Sequence, residues 1–256
     1  MSRQTPSKPP SRVNPQRRDF LGSCSSAAAF ACAANPVIAA AAGPAKKFAP
    51  SLLTDVDGAP LHPDNLQSGT EYIFHYPFRS TPCFLVDLGK PISGGKEMTQ
   101  SNGETYQWQG GVGPNRSIVA FSAICAHKLS HPSPVVSFIG YREYPVGFLN
   151  RSTGQIEQRA GVIQCCSEHS IYDPAEGAAV VSGPAPQPLA AVALSIADDS
   201  VVATGVYGGN MFNEYFERFG DRLMLEYRSD SYADPVGPST TVVPGDQFTK
   251  NKMRCG

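Results

Sequence analysis

The chain has little charge and no surplus of either sign. Lys and Arg number 21 against 22 Asp and Glu, a formal net charge of −1, and the four types make up 17% of the residues. With no basic field, nucleic acid is excluded as an expected partner. Long charged helical faces are missing as well, whereas Gly (24) and Pro (23) are plentiful. That balance favours short strands joined by many turns. No segment repeats along the chain, which argues against solenoids and propellers. A length of 256 residues still allows a sizeable core, in one large domain or two small ones.

What is present starts at the N-terminus. Residues 1–18 are polar, basic and rich in Ser and Pro, and they end in Arg17-Arg18. Asp19-Phe20-Leu21 and the Ala-rich run GSCSSAAAFACAANPVIAAAAG follow. Two adjacent arginines before a weakly apolar stretch resemble a twin-arginine export signal, so residues 1–42 are expected to be a signal and the protein periplasmic. This route carries folded proteins, usually because a cofactor is inserted before export. Ala40-Ala41-Ala42 suits a small-residue cleavage site. Uncut, residues 20–42 are long enough to span a bilayer, so membrane association through the N-terminus stays open. Asn35-Pro36 and the scarcity of Leu and Ile make that stretch a poor anchor.

Residues 43–69, rich in Pro, Ala and Gly, read as a linker. The apolar runs beyond it are short: EYIFHYPF (71–78), CFLVDL (83–88), SIVAFSAI (117–124), PVVSFIGY (134–141), GVIQC (161–165), AAVVS (178–182), LAAVALSI (189–196) and SVVATGV (200–206). Their length and β-branched content suit strands, and the turns between them imply an all-β antiparallel sandwich or barrel over residues 70–228. One short C-terminal helix is expected at 210–223, where Met211, Phe212, Tyr215, Phe216 and Phe219 recur at helical spacing and Gly220 could end it. DRLMLEYR reads as a last strand, and 229–256 as an extended tail.

Seven cysteines occur, two of them within residues 1–42. The odd remainder argues against a simple disulfide framework. Cys83 reads as a buried strand residue and Cys255 as part of a loose tail, with nothing to support a bridge between them. The informative pairs are Cys125-Ala126-His127 and Cys166-Ser167-Glu168-His169, each at the end of a strand-like run. Two thiolates and two imidazoles suit either Zn²⁺ or a [2Fe–2S] cluster with histidines on one iron. A zinc finger pairs like with like; here each loop gives one Cys and one His, which suits two irons gripped from both sides. Cys165 is read as packing at the strand end, His131 as a loop residue, and His62 and His75 have no partner motif.

C-x-H followed by C-x-x-H resembles the Rieske iron–sulfur domain. IVAFSAICAH is similar to the strand that enters its first cluster loop, and YDPAEGAAVVSGPAPQPLAAV to the segment after its second loop. The likeness spans roughly 110–206 and implies a Rieske-type fold with a cluster-binding subdomain and one [2Fe–2S] cluster per chain. It implies Cys125 and Cys166 on the inner iron, and His127 and His169 on the outer. Ser170 and Tyr172 are its candidates for tuning the potential through hydrogen bonds. Ser130 stands where quinol-oxidising members often carry a disulfide cysteine, with Glu168 as its second-loop counterpart, so that inter-loop disulfide is expected to be absent. Between His127 and Cys166 lie 38 residues (128–165), which makes roughly 132–160 an added hairpin or lobe.

A cluster domain moves single electrons and catalyses nothing alone. The leader, CAHK and CCSEH–SxYDP resemble the small subunit of arsenite-oxidase-type molybdoenzymes. That likeness implies an electron-transfer subunit between a large molybdopterin-containing partner and a soluble carrier such as cytochrome c. The alternative is the Rieske subunit of a cytochrome bc-type complex. There the residue after the first His is usually apolar, and here it is Lys128. A Rieske oxygenase needs a second iron held by two histidines and a carboxylate, and no histidine follows residue 206.

Overall fold

All eight apolar runs expected as strands contribute strands to the computed structural model, which describes residues 43–255. The expected signal at 1–42 lies outside the described residues. The strands in chain order begin with β1 (Lys46–Thr54), β2 (Glu71–His75), β3 (Pro82–Asp87), β4 (Lys96–Thr99), β5 (Thr105–Trp108) and β6 (Ile118–Ser122). Then come β7 (Val136–Ser137), β8 (Ile139–Arg142), β9 (Val146–Leu149), β10 (Ile156–Arg159), β11 (Val162–Cys165), β12 (Ser170–Asp173) and β13 (Ala179–Ser182). After β14 (Ala191–Ala197) and β15 (Ser200–Tyr207) the chain forms α1 (Phe212–Tyr227), β16 (Ser239–Thr241), β17 (Val243–Pro244), a single turn α2 (Gly245–Phe248) and β18 (Asn251–Lys252).

The fold is mostly β, with few helices. Its main sheet has eight strands in the order β16-β1-β15-β14-β6-β3-β2-β17. The two edge strands, β16 and β17, are separated in sequence only by buried Val242. One short segment thus stitches both edges together, and the sheet nearly closes into a barrel, leaving little free edge. Pairing is antiparallel apart from β1 with β16 and β18 with β7. A second sheet, β13-β12-β11-β8, stands beside it, and β9 and β10 form a separate hairpin within residues 132–160. Buried Glu71 on β2 joins the two sheets: its carboxylate accepts the Tyr141 N–H of β8 and pairs with Lys252 at 2.7 Å.

Two apolar clusters fill the molecule. One lies between the main sheet and α1, around Phe74, Tyr76, Leu85, Tyr215 and Leu223; the other lies toward the second sheet, around Phe84, Trp108, Phe121, Cys125, Cys165 and Tyr172. Complete burial of such side chains contributes about 1.5–3 kcal/mol each.

Three expectations are corrected. Residues 43–69 are not a linker throughout, because β1 pairs with β15 and β16 inside the main sheet. The helix runs on through DRLMLEY to Tyr227 and ends at Arg228 in the left-handed conformation (φ 52°), not at Gly220. Its buried positions show why: Phe212, Tyr215 and Leu223 lie on one helical face, with Phe216, Phe219 and Tyr227 packed beside them. The 229–256 segment is no free tail either, since β16, β17 and β18 each pair with an earlier strand.

Burial also leaves one histidine sensitive to acid. His75 lies against Phe248 and shares a hydrogen bond with the Tyr227 hydroxyl at 3.0 Å. Desolvation pushes its pKa down from 6.5 to about 4. The unfolded chain therefore takes up this proton first. Stability from His75 is full above about pH 6.5, is lost as pH falls toward 4, and changes no further below that. The unfolding free energy should drop by about 2 kcal/mol between pH 7 and 4.5 through this group. Urea unfolding at the two pH values should show the drop shrinking by that amount in His75→Gln.

Candidate metal centre

The first loop leaves β6 at Ser122 and turns at once. Ser122 Oγ accepts the Ile124 N–H at 3.2 Å, the Cys125 N–H bonds Ser130 O, and the Leu129 N–H bonds Cys125 O, both at 2.9 Å. Leu129 takes a left-handed backbone (φ 57°) to close the turn. Cys125 is thereby buried at its base, while His127 is half-buried and Lys128 exposed.

The second loop is the β11–β12 hairpin. Ile163 lies opposite Tyr172 and Cys165 opposite Ser170, so residues 166–169 form the connection. Directly opposed residues share a sheet face, and residues two apart on one strand do so too. Ile163, Cys165, Ser170 and Tyr172 therefore face one way, toward Cys125. Gln164 faces the other way and accepts from buried Arg142 at 3.2 Å.

That register separates the two adjacent cysteines, 165 and 166, which the spacing alone does not. Cys166 does not meet Cys125. It is bonded to Cys255 in a disulfide with Cα atoms 5.2 Å apart, which leaves no thiolate for a metal. Cys165, expected only to pack at the strand end, is buried in the same apolar cluster as Cys125. Cys255 is no loose residue, and Cys83 is a buried free thiol that donates to Tyr76 O at 3.1 Å. The counterpart of Ser130 also changes: its hydroxyl bonds Ser167 at 2.6 Å, and Glu168 instead faces Lys128 at 3.7 Å. Both contacts bridge the two loops, with no inter-loop disulfide.

Electrostatics single out the thiol pair. A hydrogen bond from Cys165 pulls the Cys125 pKa down, helped by the Tyr172 hydroxyl at 3.3 Å. The Cys125 thiol, followed by burial, pushes Cys165 up. Tyr172 is itself raised, first by burial and then by Cys125. Burial opposes ionisation of both thiols together unless a cation lies beside them. Close by are two buried polar atoms without a partner, Ser170 Oγ and His127 Nδ1. Orphaned buried polar atoms are uncommon and mark places where another group belongs. His169 stands exposed at the hairpin tip with φ 57°. Among the described residues, no three His, Cys, Asp or Glu side chains converge on a point where a single ion could sit.

A third wall comes from the turn at 183–186. The Arg151 guanidinium bonds Ala185 O at 3.1 Å. Gly183 (φ 79°) presses on the second loop so closely that a Cβ would lie 2.6 Å from His169 O and from Ser170 Cα.

No model of a known protein family matches the chain. Among solved structures it is similar to the soluble domain of the Rieske protein II (soxF) from Sulfolobus acidocaldarius. The two are 27% identical, the match covering 63% of this chain and 82% of that one, at a TM-score of 0.42.

Gly183→Ala places a methyl group against backbone and requires a conformation unfavourable to L side chains. We expect a loss of about 2 kcal/mol in unfolding free energy, with faster amide exchange at 166–170 and unchanged exchange in β2 and β3. Hydrogen-exchange mass spectrometry checks both regions.

Proposed function

We propose that the chain is a Rieske-type electron carrier, with Cys125 and Cys165 holding one iron of a [2Fe–2S] cluster and His127 and His169 the other. The observation that carries this reading is the buried Cys125–Cys165 pair, with the Tyr172 hydroxyl on one sulfur and Ser170 Oγ and His127 Nδ1 left unpaired beside it. When bound, such a cluster accepts and donates one electron at a time, at higher potential than an all-cysteine cluster because neutral imidazoles replace two thiolates.

The chain's own residues fit that task. The pocket offers two thiol sulfurs that want positive charge. Tyr172 donates to Cys125 and accepts the Ala126 N–H at 3.1 Å, which locks the sulfur and the loop backbone together. Ser170 has a hydroxyl proton to give and no protein acceptor. Exposure of His169 leaves an imidazole at the surface, where a redox partner can approach. A two-iron cluster asks each iron for two protein ligands only.

The finer reading is an electron-transfer subunit of an exported, arsenite-oxidase-type oxidoreductase. Electrons would pass from a molybdopterin-containing partner to cytochrome c or a similar carrier. Arg17-Arg18 with its Ala-rich run supports export with a cofactor already in place. Lys128, half-exposed beside the half-buried His127, supports docking to a protein surface in preference to lining a quinol pocket.

Metal analysis of the natively purified complex tests both levels. Iron with inorganic sulfide and molybdenum is expected. Iron with b-type haem and no molybdenum would favour a bc-type complex, and zinc without iron would sink the cluster reading. Cys165→Ser should abolish the Rieske EPR signal, whereas Cys166→Ser should keep it. Ser170→Ala should keep the signal and lower the potential by about 40 mV, the equivalent of one hydrogen bond of about 1 kcal/mol. Protein-film voltammetry reads that shift.

A further inference from the structure

Seven residues at the end of the chain return to the hairpin that carries Cys165, and no part of the proposed electron-transfer role calls for them. Buried Thr249 donates its hydroxyl to Ser133 O at 2.8 Å, and the Lys250 N–H bonds Pro134 O at 3.1 Å. β18 pairs with β7, the Asn251 side chain donates to Val135 O at 3.0 Å, and the Met253 N–H bonds Ser137 O at 2.8 Å. Lys252 reaches Glu71, and Arg142 donates to Met253 O at 2.7 Å. The strap then ends on the second loop at the Cys166–Cys255 bond.

By contrast, the two loops meet each other weakly. Their direct links are the Ser130–Ser167 hydroxyl pair and the exposed Lys128–Glu168 pair at 3.7 Å. Exposed contacts of that kind hold little. Cys166 is anchored at two points, by its N–H to Phe138 O at 2.6 Å and by the disulfide. It is also one peptide bond from Cys165. Whatever restrains Cys166 therefore restrains the neighbouring thiol, which faces the opposite side of the strand. Both bridge cysteines are partly exposed, so a soluble thiol can reach them.

We propose that the Cys166–Cys255 bridge is a thiol–disulfide exchange site that latches the C-terminal strap onto the second loop, and that a dithiol partner opens it. The exchange balances. One sulfur of the dithiol, as thiolate, bonds to Cys255 Sγ while the Cys166–Cys255 bond breaks and Cys166 takes up a proton. The second sulfur of the dithiol then displaces Cys255, closing its own disulfide. The dithiol loses two electrons and two protons, and both cysteines end as thiols. Closed, the latch withholds Cys166 from any metal and presents Cys165 toward Cys125. Open, it frees residues 250–255 and loosens the hairpin turn.

The inference rests on the cluster reading only for its optical readout; strap seating is measured separately. The test uses the full chain with its iron, with and without dithiothreitol, alongside Cys255→Ser and Cys166→Ser. Alkylation and mass spectrometry should count two further thiols in the treated wild type. Amide exchange at Cys166, Lys250 and Met253 should quicken about tenfold in Cys255→Ser and in dithiol-treated wild type, with no further change when Cys255→Ser is treated. Loss of the visible chromophore to a chelator should quicken in parallel. Unchanged exchange in both opened forms would overturn the latch. So would a Cys166→Ser variant that loses its iron while Cys255→Ser keeps it, since Cys166 would then be a ligand. Wild type purified without iron would defeat the cluster reading alone, because the exchange rates would still report whether the strap is latched.

Discussion

Two buried thiols, Cys125 and Cys165, share one apolar pocket, and the rest of the site is built around that constraint. Burial opposes a second negative charge, and the Tyr172 hydroxyl offsets only part of the cost on Cys125. Two thiolates can persist there only if positive charge arrives with their ionisation. The pocket is thus selective by electrostatics before any coordination geometry is considered. Ser170 and His127 add to this: each presents a buried polar atom that no protein group satisfies. Apolar packing around Phe121, Ile163 and Leu189 supplies the low polarity that makes the constraint strict.

The constraint needs two loops held at fixed separation, and the fold supplies one from each sheet. Cys125 follows β6, an interior strand of the main sheet flanked by β3 and β14. Cys165 ends β11, an interior strand of the second sheet flanked by β8 and β12. Interior strands are paired on both sides, so neither cysteine sits on an edge that can fray. Glu71 then fixes one sheet against the other. It reaches from β2 to the backbone of β8, and Lys252 balances its charge. A buried carboxylate bonded in this way costs desolvation, and the return is a defined register between the sheets.

Much of the architecture was legible because interior strands carry their own signal. FLVD, IVAFS and AVALSI are short, β-branched runs bounded by turns, and each is a strand. β1 escaped because its burial is uneven. Lys46, Lys47, Ala49 and Pro50 are exposed, and the register shifts between Lys47 and Ser51, so no clean alternation marks it. The C-terminal strands are two or three residues long with no apolar face, and only partners far away in sequence define them. In α1 the glycine at 220 looks like a stop in the sequence. Leu223 and Tyr227, buried and half-buried, show that the apolar stripe passes through it.

The candidate site was legible in outline, and strand alternation separates two adjacent cysteines that spacing alone does not. CCSEH offers two adjacent thiols, and counting back from His169 alone selects Cys166. Counting from the hairpin selects the other. Ser170 and Tyr172, which the Rieske resemblance implies as tuning residues, lie two apart, hence on one face. The residue across the hairpin from Ser170 shares that face, and it is Cys165. Cys166 then has to face Arg142 and the end of the chain, where Cys255 meets it. The same count moves the loop-to-loop contact from Glu168 to Ser167, as the hydroxyl pair bears out. A doubled cysteine at a strand end thus divides its work by parity, one thiol facing the pocket and the other available to fasten the loop from outside.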